Sequence, residues 1–176
     1  MIKKLLPFEN LVYHSALTKE ELAVHLQNEI EAEKSFGFGR NRFSYSKPYI
    51  GKVYPDKFEI KRAINYKNSF LPLIKGEIKE DISGSRINVN MLLPDFVKVF
   101  MCIWLGIVFL VSLGTLYVLV FNNGFNGGGP FIFIPFIMLF AGVAMVVFGF
   151  KTESKKSISD LEELLQAKII QNSNSK

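Results

Sequence analysis

The sequence predicts an α+β domain in the cytosol, a transmembrane hairpin of two α-helices and a short amphipathic C-terminal helix. Two long uncharged apolar runs predict the hairpin. A helical apolar stripe near the N-terminus precedes segments of alternating polarity, which predicts one helix on an antiparallel meander of about four to five strands. Of the 176 residues, 49% are hydrophobic and 21% are charged, which excludes a disordered chain. The single cysteine excludes an intrachain disulfide scaffold.

The cytosolic domain is expected to span residues 1–95 and to open with a short strand at 8–13. Thr18 and Glu21 follow with the spacing of a capping box, which predicts a helix over about 19–33. The apolar stripe of this helix consists of Leu22, Leu26 and Ile30. A helix with one apolar face needs a sheet or another helix to cover that face.

Further along the domain, the period of the apolar residues becomes two, which is typical of strands with one buried face. Turn sequences such as Pro55-Asp56 separate these segments. The expected strands lie at 49–54, 57–66, 71–80 and 86–93. About 95 residues suffice for a small independent core.

Two runs of the chain, residues 99–121 and 131–150, contain no charged residue. As helices they would be about 34 and 30 Å long, enough to cross a hydrocarbon core of about 30 Å. We therefore predict transmembrane helices at 96–121 and 131–150, joined by an external loop at 122–130. The alternative of two buried core helices would need a larger polar shell than the flanking residues supply.

The charges beside these runs predict their orientation. Lys98 precedes the first run, Lys151, Lys155 and Lys156 follow the second, and the loop at 122–130 carries no charge. Because positively charged residues are enriched on the cytoplasmic side, both termini should lie in the cytoplasm. The runs contain no ionisable acid, base or imidazole, which argues against a pump or a coupled transporter.

The tail, residues 151–176, contains a second capping box at Ser159 and Glu162, which predicts a helix over about 158–170. Its apolar stripe consists of Ile158, Leu161, Leu165 and Ile169. So short a helix is marginal in water and needs a surface. The cytosolic domain, a second copy or the lipid interface would serve, and the acidic polar face favours docking on protein, including self-association, over anionic lipid.

Arg62 is the exceptional residue of the meander, because it falls on the apolar side of the expected strand at 57–66. One interpretation is a charge in a ligand cleft or one that contacts a phosphate or a lipid headgroup. The other is a structural position at a rim or bulge, or an ion pair with Glu59 or Glu77. The sequence leaves both open.

Arg62 belongs to a basic stretch at residues 40–67. Candidate contacts with a ligand or a lipid headgroup are Arg40, Arg42, Lys61, Arg62 and Lys67. Juxtamembrane lysines and arginines attract anionic lipid surfaces, although a solvated face of a basic protein gives the same pattern. We expect no nucleic-acid partner, because neither a recognition helix nor an RNP-type aromatic pattern is found.

The chain lacks the short motifs of nucleophilic hydrolases, P-loop proteins, dinucleotide-binding folds and zinc proteases. His25 and Glu29 are spaced i, i+4 and could supply two metal ligands, but no third ligand accompanies them. We therefore predict no catalytic residue, no metal site and no cofactor, and a protein that is not an enzyme.

The segment from Gly51 to Gly76 has the pattern GxV…FxIxRxIxYxNSFLPxIxG. This pattern resembles a segment of small uncharacterised bacterial membrane proteins that combine a cytosolic region with two spans. The likeness covers about residues 47–110 and is most specific at Asn-Tyr-x-Asn-Ser-Phe-Leu-Pro. It implies a bacterial source, the cytoplasmic (inner) membrane and the two-span layout, and it transfers no functional residue.

Taken together, these patterns predict a non-enzymatic integral inner-membrane protein that anchors a small cytosolic protein-interaction domain. One alternative is a membrane-anchored module that binds a lipid or small ligand at Arg62. A further alternative is a subunit of an oligomeric membrane complex.

Overall fold

The computed structural model describes residues 7–33, 45–66, 68–121 and 129–172. Within these ranges the chain forms seven strands, three α-helices and a short 3₁₀ segment at Gly129–Phe133. The strands are β1 (Phe8–Ser15), β2 (Ile30–Glu31), β3 (Tyr49–Val53), β4 (Lys57–Arg62), β5 (Leu73–Asp81), β6 (Gly84–Leu92) and β7 (Ala167–Asn172). The helices are α1 (Lys19–Glu29), α2 (Asp95–Phe121) and α3 (Ile134–Leu164).

The seven strands form one mixed sheet in the order β2-β3-β4-β5-β6-β1-β7. The predicted meander is present as β3 to β6, in which each strand pairs antiparallel with the next. The N-terminal strand β1 pairs antiparallel with β6 on one side and with β7 on the other. Only β2 and β3 pair in parallel among the described residues. The α+β class is confirmed, with a larger sheet than the sequence predicts.

One face of this sheet is covered, and it is the face that carries Arg62. Phe58, Ile60 and Arg62 alternate along β4 with outward-facing neighbours, and the first two side chains are buried. Residues that α1 and the C-terminal part of α3 bury against this face include Leu22, Leu26, Tyr49, Ile74, Val89, Met91, Phe150, Leu161 and Leu164. The opposite face is polar and exposed, as expected for an antiparallel sheet with one solvated side.

The start of α1 agrees with the prediction, but its end does not. Thr18 Oγ1 accepts the N–H of Glu21 at 3.3 Å, and Glu21 Oε2 accepts the N–H of Thr18 at 3.0 Å, so the capping box is confirmed. The helix ends at Glu29 rather than near 33. The chain becomes extended at Ile30, which allows Ile30–Glu31 to pair with β3.

The strands β4 and β5 are shorter at their facing ends than predicted. β4 ends at Arg62 and β5 begins at Leu73. Between them, Asn68 Oδ1 accepts the N–H of Phe70 at 3.0 Å, a local bond that competes with the sheet ladder. Residues 68–72 therefore leave the sheet plane as a turn.

The predicted tail helix at about 158–170 is correct only as far as Leu164, and it is not a separate element. Helix α3 continues without a break to Leu164, and β7 begins at Ala167. Ser159 and Glu162, which have capping-box spacing, thus lie inside a longer helix. Gln166 adopts a left-handed backbone conformation with φ of 46° and reverses the chain, after which β1 offers an open edge for pairing. Leu161 and Leu165 are fully buried because this segment docks on the chain's own domain, which is one of the predicted alternatives.

The two predicted apolar helices are present as α2 and α3, and both are long and apolar enough to span a membrane. In the most apolar 18-residue window of each, only 17% and 6% of the residues are buried. A core helix of a soluble domain would be mostly buried. The apolar parts of α2 and α3 therefore cover each other only in part and leave most of their side chains exposed.

The contact between the two helices includes Gly142. A Cβ atom at Gly142 would lie 2.3 Å from Cζ3 of Trp104 and 3.0 Å from Cδ2 of Leu105. The missing side chain therefore lets α2 approach α3 closely, as small residues do between packed apolar helices. A Cβ at Gly106 or Gly114 would meet nothing within 4 Å.

A matched pair of glycine substitutions tests this packing. Gly142→Ala should lower the free energy of unfolding by about 1–3 kcal/mol, because the added methyl group overpacks against Trp104. Gly106→Ala should raise it by up to about 1 kcal/mol, since alanine favours helix and the site is open. Thermal unfolding of both variants in one detergent measures the contrast. Equal shifts would contradict the packing described.

Candidate functional site at the junction of sheet and helices

Both apolar helices are joined to the sheet without a linker. Strand β6 ends two residues before the start of α2, and α3 ends two residues before β7. Since β6 and β7 pair with β1 from its two sides, the two helices are attached to strands that only β1 separates. The junction between the sheet and the helices is thus a compact region built from both ends of the chain.

A buried carboxylate on α3 is the centre of this junction. Glu153 is only 3% exposed. Its Oε2 lies 3.2 Å from Nη1 of Arg62, and its Oε1 accepts the hydroxyl of Tyr66 at 2.6 Å. Arg62 Nε also contacts Oδ2 of Asp160 at 3.1 Å, two turns further along α3. We call Arg62, Tyr66, Glu153 and Asp160 the charge cluster.

The charge cluster gives Arg62 partners that the sequence did not suggest. The proposed partners of Arg62 were Glu59 and Glu77, but Glu59 pairs with Lys75 at 3.4 Å and Glu77 with Lys79 at 3.2 Å, on the exposed face. Arg62 lies on the apolar side of β4, as expected, and meets α3 there. This contact exists because α3 continues past the apolar run and covers the sheet.

A second ion pair lies beside the cluster. Lys151 Nζ is 2.6 Å from Oε1 of Glu9 on β1, and both side chains are largely buried. Lys151 is the first charged residue after the uncharged run that ends at Phe150. The N-terminal strand and the meander are therefore each tied to α3 just where its surface changes from apolar to polar.

The burial of Glu153 requires these donors. An unpaired buried carboxylate is strongly unfavourable, and removing one partner of a buried pair costs more than the pair contributes. Arg62 and Tyr66 donate to the carboxylate, and Lys156 Nζ lies 3.6 Å from it. The hydrogen bond to Glu153 raises the pKa of Tyr66, because ionising the phenol would place two negative charges together.

The junction also contains a large cavity. It is an open cleft of about 1000 Å³, whose lining includes β4, the segment after it, the first turns of α2 and Met145 of α3. The polar lining includes Lys61, Arg62, Tyr66 and Asn68. The apolar lining includes Phe70, Phe96, Phe100, Met101 and Met145. The cleft thus has a charged and an apolar part.

A smaller cavity of about 410 Å³ lies between α1, β3 and the end of α3. His25 and Glu29, the pair with metal-ligand spacing, line it together with Asp160 and Glu163. Their arrangement nevertheless does not gather three ligands that could hold a metal ion, and neither does any other group in the part of the chain that the structure describes.

Of the five candidate contact residues, the structure brings two together. Lys61 and Arg62 both line the large cleft. Lys61 Nζ lies 2.5 Å from Oε1 of Glu33. The other three, Arg40, Arg42 and Lys67, lie outside the described residues.

Sequence reasoning missed Glu153, Glu9 and Tyr66 as members of this junction. A usable signal was present for Glu153. No glycine or proline separates Phe150 from Leu164, so the helix had no reason to stop after its apolar run. No comparable local signal identifies Glu9, because its partner lies 142 residues away.

Comparisons of the chain with protein-family models, with curated proteins and with solved structures find no significant match.

The charge cluster makes a direct prediction for stability. Glu153→Gln keeps the shape of the side chain but gives Arg62 and Tyr66 a neutral acceptor, so we expect a loss of about 1–3 kcal/mol in the free energy of unfolding. Glu162→Gln, an exposed position on the same helix, should change it by no more than about 0.5 kcal/mol. Unfolding in detergent measures both, and an equal effect of the two substitutions would contradict the cluster's role.

Proposed function

We propose that this protein is a non-enzymatic integral protein of a bacterial cytoplasmic membrane, in which the helical hairpin anchors and orients a small cytosolic protein-interaction domain. The observation that carries the proposal is the contrast within α3. Its first part is apolar and exposed, and its last part is buried in the core of a polar domain. One helix thus joins two surroundings of opposite polarity.

The exposed apolar surface supports a lipid environment for the hairpin. Large exposed apolar side chains follow one another along both helices, among them Ile103, Ile107, Leu110, Val120, Ile137, Phe140 and Phe148. Soluble monomers rarely expose contiguous apolar patches of more than a few hundred Å². In hydrocarbon the same side chains are well solvated, and the helical backbone satisfies its own hydrogen bonds.

The pairing of β1 with β7 supports an arrangement with both ends of the chain on one side. Two crossings of the membrane place both ends of a chain on the same side. Lys98, Lys151, Lys155 and Lys156 lie at the domain side of the hairpin, which is the cytoplasmic side under the positive-inside rule.

The exposed face of the sheet supports interaction with a protein. It presents lysines and glutamates in alternating positions, such as Lys75, Glu77 and Lys79 on β5, all of them solvent-exposed. Such a surface selects its partner by charge and raises the rate of association more than it adds affinity. The rigid junction would hold this face at a fixed angle to the membrane.

The large cleft favours the second candidate, a module that binds a lipid or small ligand. Membership of an oligomeric complex stays a prediction. Self-association through the tail would use the polar outer side of α3 or the outer edge of β7, since Leu161 and Leu165 are buried in the chain's own core.

Cysteine labelling tests the anchor and its orientation. In a Cys102→Ser background, Ile82→Cys lies in the fully exposed β5–β6 turn, and Asn126→Cys lies in the sequence between the two helices. A membrane-impermeant maleimide should label Asn126→Cys in spheroplasts and Ile82→Cys only in inverted vesicles. Labelling of both positions from the same side, or release of the protein by alkaline carbonate, would contradict the anchor.

Site-specific photo-crosslinking in cells tests the interaction face. A photoreactive residue at Glu77, on the exposed face of β5, should give an adduct with one defined protein. The same residue at Glu20, an exposed glutamate on α1, should not. Lys75→Glu should reduce the yield at Glu77, because it reverses a neighbouring charge. Equal diffuse crosslinking at both positions would remove the support for an interaction face.

A further inference from the structure

The large cleft extends from an apolar region, where Met145 of α3 lines it, to a charged region at Lys61 and Arg62. Met145, Gly149 and Glu153 follow at intervals of four residues, so they lie on one helix face over about 12 Å. Phe70 packs against Gly149, where a Cβ atom would lie 2.9 Å from the ring. Glu153 holds Arg62 at the charged end.

The position of the cleft relative to the uncharged runs places it at a boundary. Lys98 and Lys151 are the charged residues that border these runs. Met145 precedes Lys151 by six residues and therefore lies about 9 Å inside the second uncharged run. Phe100 follows Lys98 by two residues and lies just inside the first run. The apolar end of the cleft is therefore level with the ends of the uncharged helix runs that would face lipid. The charged end lies outside these runs, on the side of the domain.

The apolar end is suited to flexible hydrocarbon. Phe96 and Phe100 on α2 stack with ring centroids 6.5 Å apart and remain 81% and 54% exposed. Met101 and Met145 complete this side with unbranched thioether chains that adapt to an irregular apolar ligand. Because Phe96 and Phe100 line the cleft and are also exposed on the surface of α2, an acyl chain can reach this end from the side.

The charged end carries both signs. Lys61 and Glu33 line it and pair with each other, while their side chains stay 34% and 53% exposed. Arg62 is held by Glu153 and Asp160. Both cations of the described lining thus face carboxylates of the chain itself. A headgroup with a phosphate and an ammonium can pair with Lys61 and Glu33 at once, whereas a purely anionic headgroup would meet Glu33 as a like charge.

From this arrangement we propose that the cleft binds one phospholipid of the adjoining leaflet whose headgroup carries both a phosphate and an ammonium group. The acyl chains lie against Phe100 and Met145. The headgroup replaces the Lys61–Glu33 ion pair, with its phosphate on Lys61 and its ammonium group on Glu33. The volume of about 1000 Å³ is at the upper end of the range of ligand sites. This inference rests on the proposed membrane anchor and adds a ligand class to it.

Lipid retention in nanodiscs tests the proposal. The full chain is reconstituted with equal amounts of phosphatidylethanolamine and phosphatidylglycerol, transferred to mild detergent and analysed by native mass spectrometry. We expect one retained phosphatidylethanolamine per chain, favoured over phosphatidylglycerol by about two- to fivefold, the ratio that one exposed ion pair provides. Equal retention of the two lipids would overturn the headgroup assignment.

Two pairs of variants localise the binding. Met145→Trp fills the apolar end and should abolish retention, whereas Val143→Trp, a similarly exposed position on the same helix outside the cleft, should not. Lys61→Glu should lower retention by about two- to fivefold. Lys52→Glu, on the same sheet face but outside the cleft lining, should leave it unchanged. Retention unaffected by both Met145→Trp and Lys61→Glu would contradict the site.

Co-elution with the nanodisc separates this inference from the proposed function. A chain that never co-elutes with nanodiscs contradicts the anchor and the lipid site together. A chain that co-elutes but carries no lipid into detergent contradicts only the lipid site.

Discussion

The structure depends on one constraint, the burial of a carboxylate where α3 passes from an apolar to a polar surrounding. Glu153 is held by Arg62 and Tyr66 from the meander, and Lys151 two residues earlier is held by Glu9 from the first strand. Because the contacts come from distant parts of the chain, α3 can satisfy its charges only when the whole sheet has formed. Folding of the domain and placement of the helix are thereby coupled.

This coupling gives the domain a fixed relation to the helical hairpin. Neither helix is attached through a flexible linker, and the end of α3 supplies both core side chains and, through the short turn at Gln166, an additional strand. In the proposed membrane setting, the exposed sheet face is therefore held at a set angle to the bilayer. The cleft between sheet and helices then lies at the lipid surface, which relates the proposed lipid site directly to the anchor.

Most of the fold could be predicted from local patterns. The capping box at Thr18 and the alternation along β4 and β6 identify α1 and the meander, and the charge-free runs identify the two apolar helices. The last element could not be assigned in this way. The apolar residues at 158–169 suit a helix, but Ala167 and Ile169 also suit a strand, and the free edge of β1 decides between them. The partners of Arg62 were equally hidden, because they lie on α3, more than 90 residues away.

Helix α3 is one continuous helix from the exposed apolar region into the domain core. Hydrogen–deuterium exchange of the chain reconstituted in nanodiscs, resolved over residues 140–165, tests it most directly. We expect continuous protection through Lys151 and Glu153, with residues 153–161 as slow to exchange as the interior strand β6. A fast-exchanging break between Phe150 and Lys156 would show a hinge at the junction and would contradict a rigid α3.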